Sequence, residues 1–153
     1  MTRRLILLLS AVFASLVFAT PASAGGATSS TQNFHGAFPP MQVTPLCGSA
    51  APGGTLFATG NAVFHITINA AGDEWVTTTQ EAWFNLVPDT GTVTYTGHFA
   101  TWFGLSLNKN NAVAHDVFNI QATGSDGSTI TINIVDHMSV NANGQINMFS
   151  ACR

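Results

Sequence analysis

Residues 114–137 read AHDVFNIQATGSDGSTITINIVDH, nearly a mirror about Ser125-Asp126-Gly127. Two runs that alternate apolar and polar residues flank a loop ending in glycine, the pattern of a three-residue β-hairpin whose glycine takes the left-handed conformation. That register pairs residues whose numbers sum to 252. Ile120 then faces Ile132, Phe118 faces Ile134 and Gln121 faces Thr131, so like meets like across the strands.

Side chains alternate along a strand, so the same register places Asp116 opposite Asp136 on the apolar face, with Ile130, Ile132, Ile134 and Met138. His115 falls opposite His137 on the polar face, with Thr131, Asn133 and Ser139. The four residues cannot converge into one His-Asp-Asp-His centre unless a bulge intervenes. Paired carboxylates on an apolar wall repel and are desolvated, so one holds its proton above the ordinary carboxylate value, as general acid–base chemistry requires. Asp116 and Asp136 are therefore the candidate catalytic pair; the plainer alternative is two aspartates wetted at a barrel mouth. His115 and His137 lack a third ligand within reach, so no metal site is expected. His65 and His98 share their strand faces with Thr and Asn and read as solvated surface.

Outward from this hairpin, residues 61–69, 74–86, 92–107, 113–122, 129–140 and 146–151 are β-branched or aromatic runs. Short turn sequences separate them at 71–73, 88–91, 108–111, 125–127 and 143–144. Short turns join antiparallel neighbours, and the expected fold is an all-β, antiparallel up-and-down meander of six to eight strands. Long, almost uncharged strands make exposed sheet edges an aggregation hazard, which closure into a barrel removes. A two-sheet β-sandwich is the alternative.

The domain plan follows from composition. Residues 1–24 read as an export signal: Arg3 and Arg4 precede an unbroken apolar run, and Ala22-Ser23-Ala24 supplies the small residues a signal peptidase requires. The arginine pair also leaves the twin-arginine route open. Residues 25–54, rich in Gly, Ser, Thr and Pro, read as an irregular lead-in with one short strand at 32–38. Residues 55–153 form a single antiparallel β domain.

Removing 24 residues from 153 leaves 129, enough for one core. The cations that remain are Lys109 and Arg153 against seven carboxylates, a net charge of −5. That balance excludes a phosphate-neutralising surface, so neither nucleic acid nor an anionic membrane is an expected partner. No segment past the signal reaches the roughly 20 apolar residues that span a bilayer. The expected location is extracellular, where Cys47 and Cys152 would pair and close a loop of about 105 residues.

Parity also sorts the aromatic residues. Phe64, Ile66, Ile68, Phe84, Tyr95, Phe99, Phe103, Phe118, Ile132 and Ile134 form an apolar interior, in which Phe64, Tyr95, Phe99, Phe103, Phe118 and Ile134 are the candidate ligand contacts. Trp75 and Trp83 share the face of Thr77, Thr79 and Glu81, and Trp102 shares the face of His98. The tryptophans either stand outside, where they suit stacking on sugar rings or a protein, or are turned inward by a bulge.

At 61–67 (NAVFHIT), 95–103 (YTGHFATWF) and 124–137 (GSDGSTITINIVDH), the chain resembles small exported proteins of unassigned function from high-GC Gram-positive bacteria. That resemblance covers most of the domain and implies no activity. By architecture the chain is also similar to calycin-type and allene-oxide-cyclase-type barrels.

Three functions stay open: a secreted barrel binding a small apolar molecule inside; a module recognising polysaccharide or protein through Trp75, Trp83 and Trp102; and a cyclase- or isomerase-like enzyme using Asp116 and Asp136. None requires a cofactor, and no nucleophile elbow or Ser-His-Asp spacing occurs.

Overall fold

The computed structural model describes residues 26–153, the Ser49 side chain excepted; the expected signal at 1–24 lies outside the described residues. Eight strands follow: β1 (Thr28–Ala37), β2 (Met41–Val43), β3 (Gly54–Ile68), β4 (Glu74–Pro88), β5 (Tyr95–Leu107), β6 (Ala112–Gly124), β7 (Thr129–Val140) and β8 (Ile146–Cys152). All belong to one antiparallel sheet in the order β1-β3-β4-β5-β6-β7-β8, with β2 also on β3. No second sheet forms among the described residues, so the architecture is the meander and not the sandwich.

Turn chemistry fixes the registers. β6 and β7 pair from Ala112↔Val140 to Thr123↔Thr129, with Ile120 opposite Ile132 and Phe118 opposite Ile134, the register that residues 114–137 specify. Gly127 at φ +85° makes the reversal. Asp126 locks it by accepting hydrogen bonds from the N–H (2.9 Å) and hydroxyl (2.6 Å) of Ser128. Because those bonds favour the ionised form, they hold the Asp126 carboxyl below its ordinary range. Asn69 and Asn141 act similarly after β3 and β7. Each side-chain carbonyl accepts two backbone N–H groups, from Ala71 and Asp73 in one case and Asn143 and Gln145 in the other.

The lead-in is more ordered than its composition suggests. β1 takes in residues 32–37 of the short strand expected there and reaches back to Thr28, through side chains that are almost all exposed and show no apolar alternation. Ala37 pairs with Thr59 and Met41 with Leu56, so Phe38, Pro39 and Pro40 oppose only Phe57 and Ala58. β1 and β2 are thus one edge ribbon broken by a bulge, the place in a sheet that tolerates prolines without N–H donors. The bulge turns Phe38 into the core, where it is 5% exposed and its N–H bonds the Ala58 carbonyl at 2.9 Å. β3 also begins earlier than residue 61, at Gly54.

Among the described residues no hydrogen-bond ladder joins the two ends of the sheet, and strand direction accounts for this. Six antiparallel pairings separate β1 from β8, so the two outer ribbons run the same way. Antiparallel closure of an up-and-down barrel needs outer strands that run oppositely. A Cys47–Cys152 disulfide, with Cα atoms 5.7 Å apart, instead ties the segment after β2 to the end of β8 and draws the two edges together there. A disulfide suits an oxidising compartment. No helix among the described residues is long and apolar enough to cross a membrane.

One face of the curled sheet carries the core: Phe38, Ala58, Ala62, Ala82, Phe84, Leu86, Phe99, Ile120, Ala122, Ile130, Ile132 and Ile134 are all buried. Phe84 and Phe99 (ring centroids 6.3 Å apart) and Phe99 and Phe118 (5.6 Å) fill its middle. The alanines and glycines among them let the sheet bend tightly. A Cβ on Gly60 would overlap the Glu81 carbonyl oxygen, and one on Gly97 the Gln121 carbonyl oxygen.

Candidate functional site

The inner, core-bearing face holds the predicted carboxylates. One line across the sheet reads Gln32, Phe64, Thr78, Phe103, Asp116, Asp136 and Ser150. Asp116 and Asp136 are directly opposite, each half-buried. Burial pushes the Asp116 carboxyl above its ordinary range; a hydrogen bond from the Thr101 hydroxyl (3.2 Å) opposes that shift, and the neighbouring Asp136 adds to it. Both carboxylate oxygens of Asp136 are buried without a hydrogen-bond partner among the described residues. A buried acceptor left unpaired is costly, and a donor on a bound molecule or a water would satisfy it.

A folded-state pKa above the unfolded value means that the native state binds the extra proton more tightly. Stability from Asp116 is therefore present at acid pH and lost as pH rises from the ordinary carboxylate value through the raised one. Asp116→Asn should raise the urea midpoint at pH 7 relative to the parent and leave the midpoints at pH 3 close together. An equal shift at both values would contradict this assignment.

The candidate ligand contacts share the inner face but not one environment. Phe99 and Ile134 are 5% and 4% exposed and belong to the packed core. Phe64, Tyr95 and Phe118 pack against that core while only partly buried, and Phe103 lies higher, beside Asp116.

The outer face holds all three tryptophans: Trp75 is 43% exposed, Trp83 71% and Trp102 41%. Trp83 and Trp102 are each positioned by a neighbour. Trp83 meets the His98 ring edge-on at 5.2 Å, and His98 Nε2 lies 3.0 Å from the Glu81 carboxylate. Trp102 meets His115 at 5.7 Å, and His115 meets its cross-strand partner His137 at 5.9 Å. The Trp102 indole lies along its strand over Gly104, occupying the space a Cβ there would need. His65 bonds the Thr31 (2.8 Å) and Thr67 (3.1 Å) hydroxyls and so fastens the edge strand β1 to β3. No group of three His, Cys, Asp or Glu able to hold a metal gathers among the described residues.

Two open clefts lie along β3 and β4, and Trp83 lines the first. One, of about 500 Å³, is lined by Pro40, Phe57, Thr59, Trp83 and Asn85 and reaches in to Phe38 and Phe84. The other, of about 330 Å³, is lined by Asn61, Val63, Thr79, Gln80, Glu81, Ala100 and Thr101. Parity places the tryptophans outside, but it does not find the clefts. Those depend on the cross-strand neighbours Phe57↔Asn85, Thr59↔Trp83 and Asn61↔Glu81, and on the first half of β3 being strand at all. Comparison with protein-family models, curated proteins and solved structures finds no match.

Proposed function

We propose that the outer face of β3, β4 and β5 is a recognition surface for a neutral polysaccharide, and that the chain works outside the cell. The observation that carries this reading is Trp83, 71% exposed in the lining of one of two clefts and steadied by the His98–Glu81 pair. An indole offers a large apolar plane at low entropic cost, suited to the C–H face of a pyranose ring. The two clefts supply the Asn61, Asn85, Glu81, Thr59 and Thr79 side chains as hydrogen-bonding groups for ring hydroxyls. From Phe57 to Val63 the face runs about 20 Å along β3, room for an extended chain rather than a single sugar. Glu81 and the acidic balance of the chain oppose an anionic glycan.

Affinity electrophoresis through gels containing soluble neutral glucans, galactans or mannans tests this. The parent chain should be retarded by at least one of them. Trp83→Ala should lose about tenfold in affinity, the order expected for one aromatic stacking contact, without changing the unfolding midpoint. Retardation by none, or equal retardation of parent and variant, would remove the reading.

A second reading is favoured by one observation, the two unpaired buried oxygens of Asp136. It places a small molecule on the inner face, its apolar part against Phe64, Phe103 and Phe118 and a donor group at Asp136 and Asp116.

A further inference from the structure

We propose that β8 is the contact edge of a homodimer, pairing antiparallel with β8 of a second copy across a two-fold axis at Phe149. This goes beyond glycan recognition and does not depend on it.

The phase of the β7–β8 ladder identifies the groups that are free. Asn133 and Arg153 exchange both backbone bonds, N–H to carbonyl at 2.8 and 2.9 Å, and Asn141 N–H bonds the Gln145 carbonyl at 3.1 Å. Hydrogen-bonded pairs alternate along an antiparallel ladder, so the odd residues of β8 point their backbone groups at β7. Ile146, Met148, Ser150 and Cys152 therefore point their N–H and C=O groups away from the sheet. Two-fold pairing with residue numbers summing to 298 sets Met148 against Ser150 on both sides of the axis, so these outward groups on one copy meet outward groups on the other, while Cys152 stays with its bridge to Cys47. Phe149 then faces its own counterpart at a non-hydrogen-bonded position, where side chains approach most closely.

The side chains agree with the backbone. Ile146, Met148 and Phe149 are 62%, 61% and 59% exposed, a concentration of apolar surface on seven residues. Nothing between residues 146 and 152 is charged, so bringing two copies together places no like charges opposite one another. Free edges are ordinarily guarded by proline, charge or a bulge. The opposite edge is broken in this way by the Pro39-Pro40 bulge between β1 and β2, although β1 itself carries neither charge nor proline. β8 has no such guard, and a copy of itself is the partner whose hydrogen-bond pattern fits by construction.

Sedimentation equilibrium of the purified chain tests the proposal. The parent should sediment at twice the chain mass in the micromolar range. Ser150→Pro removes an outward N–H without touching the β7 ladder, and Phe149→Lys sets like charges across the axis. Each should weaken association about a hundredfold while near-ultraviolet circular dichroism stays that of the parent. Slow amide exchange at Met148 and Ser150 in the parent and fast exchange in Phe149→Lys would locate the contact on this edge. A parent that stays monomeric to about 100 μM, or a dimer that survives both substitutions, would overturn it.

Discussion

Replacing Cys47 and Cys152 together by alanine is expected to lower the free energy of unfolding by about 4 kcal/mol, a large fraction of the margin of an ordinary domain. Two effects act in the same direction. The bridge spans 105 residues, so its loss releases a long loop in the unfolded chain. It is also the covalent link between the two edges of a sheet that no hydrogen-bond ladder closes. Without it the segment after β2 is free to lift, and with it Ala51 and Phe38, each 5% exposed in the folded chain. Urea unfolding of the double variant should show a lower midpoint. A loss under about 1 kcal/mol would mean that the curl is held by the core alone.

Gly60→Ala is expected to cost about 3 kcal/mol, although alanine is the smallest possible addition. Gly60 lies in the middle of β3, where the sheet bends over the core, and an added methyl would overlap the Glu81 carbonyl oxygen and the Ala82 backbone across the ladder. Both are main chain and cannot rotate away, so the strands themselves must part. Gly72 is the useful contrast. It has open space around it and φ +85°, so Gly72→Ala carries only a conformational cost, about 1 kcal/mol. Thermal unfolding of both variants should rank Gly60 well above Gly72. The reverse order would show that turn conformation, not close strand approach, limits this fold.

How far the sequence leads can be judged residue by residue. The hairpin at 114–137 is fully legible because one loop length and one glycine fix its register, and from that register the Asp116–Asp136 and His115–His137 pairings follow. Parity groups Trp75 and Trp83 with Thr77, Thr79 and Glu81 and groups Trp102 with His98, and the structure keeps that outer alternative. The first strand is legible only in its second half: the expected strand at 32–38 falls on β1, but its start at Thr28 is hidden because the exposed side chains lack the alternation that marks a half-buried strand. Pro39-Pro40 reads as a break but is absorbed as a bulge. That single feature decides closure: it merges β1 and β2 into one ribbon and leaves the outer strands running in the same direction. The clefts along β3 and β4 are hidden for a related reason, since Phe57 and Thr59 belong to the half of β3 that glycine-rich composition disguises.

The two faces of this sheet make competing claims on a ligand, and one measurement separates them. A soluble neutral oligosaccharide is titrated into the isotopically labelled chain, and backbone amide shifts are followed by NMR. The outer-face account predicts changes confined to residues 57–63, 79–85 and 96–102, together with the Trp83 indole N–H. Changes centred instead on Phe64, Phe103, Asp116 and Asp136, or none with any oligosaccharide that the gels retain, would contradict it.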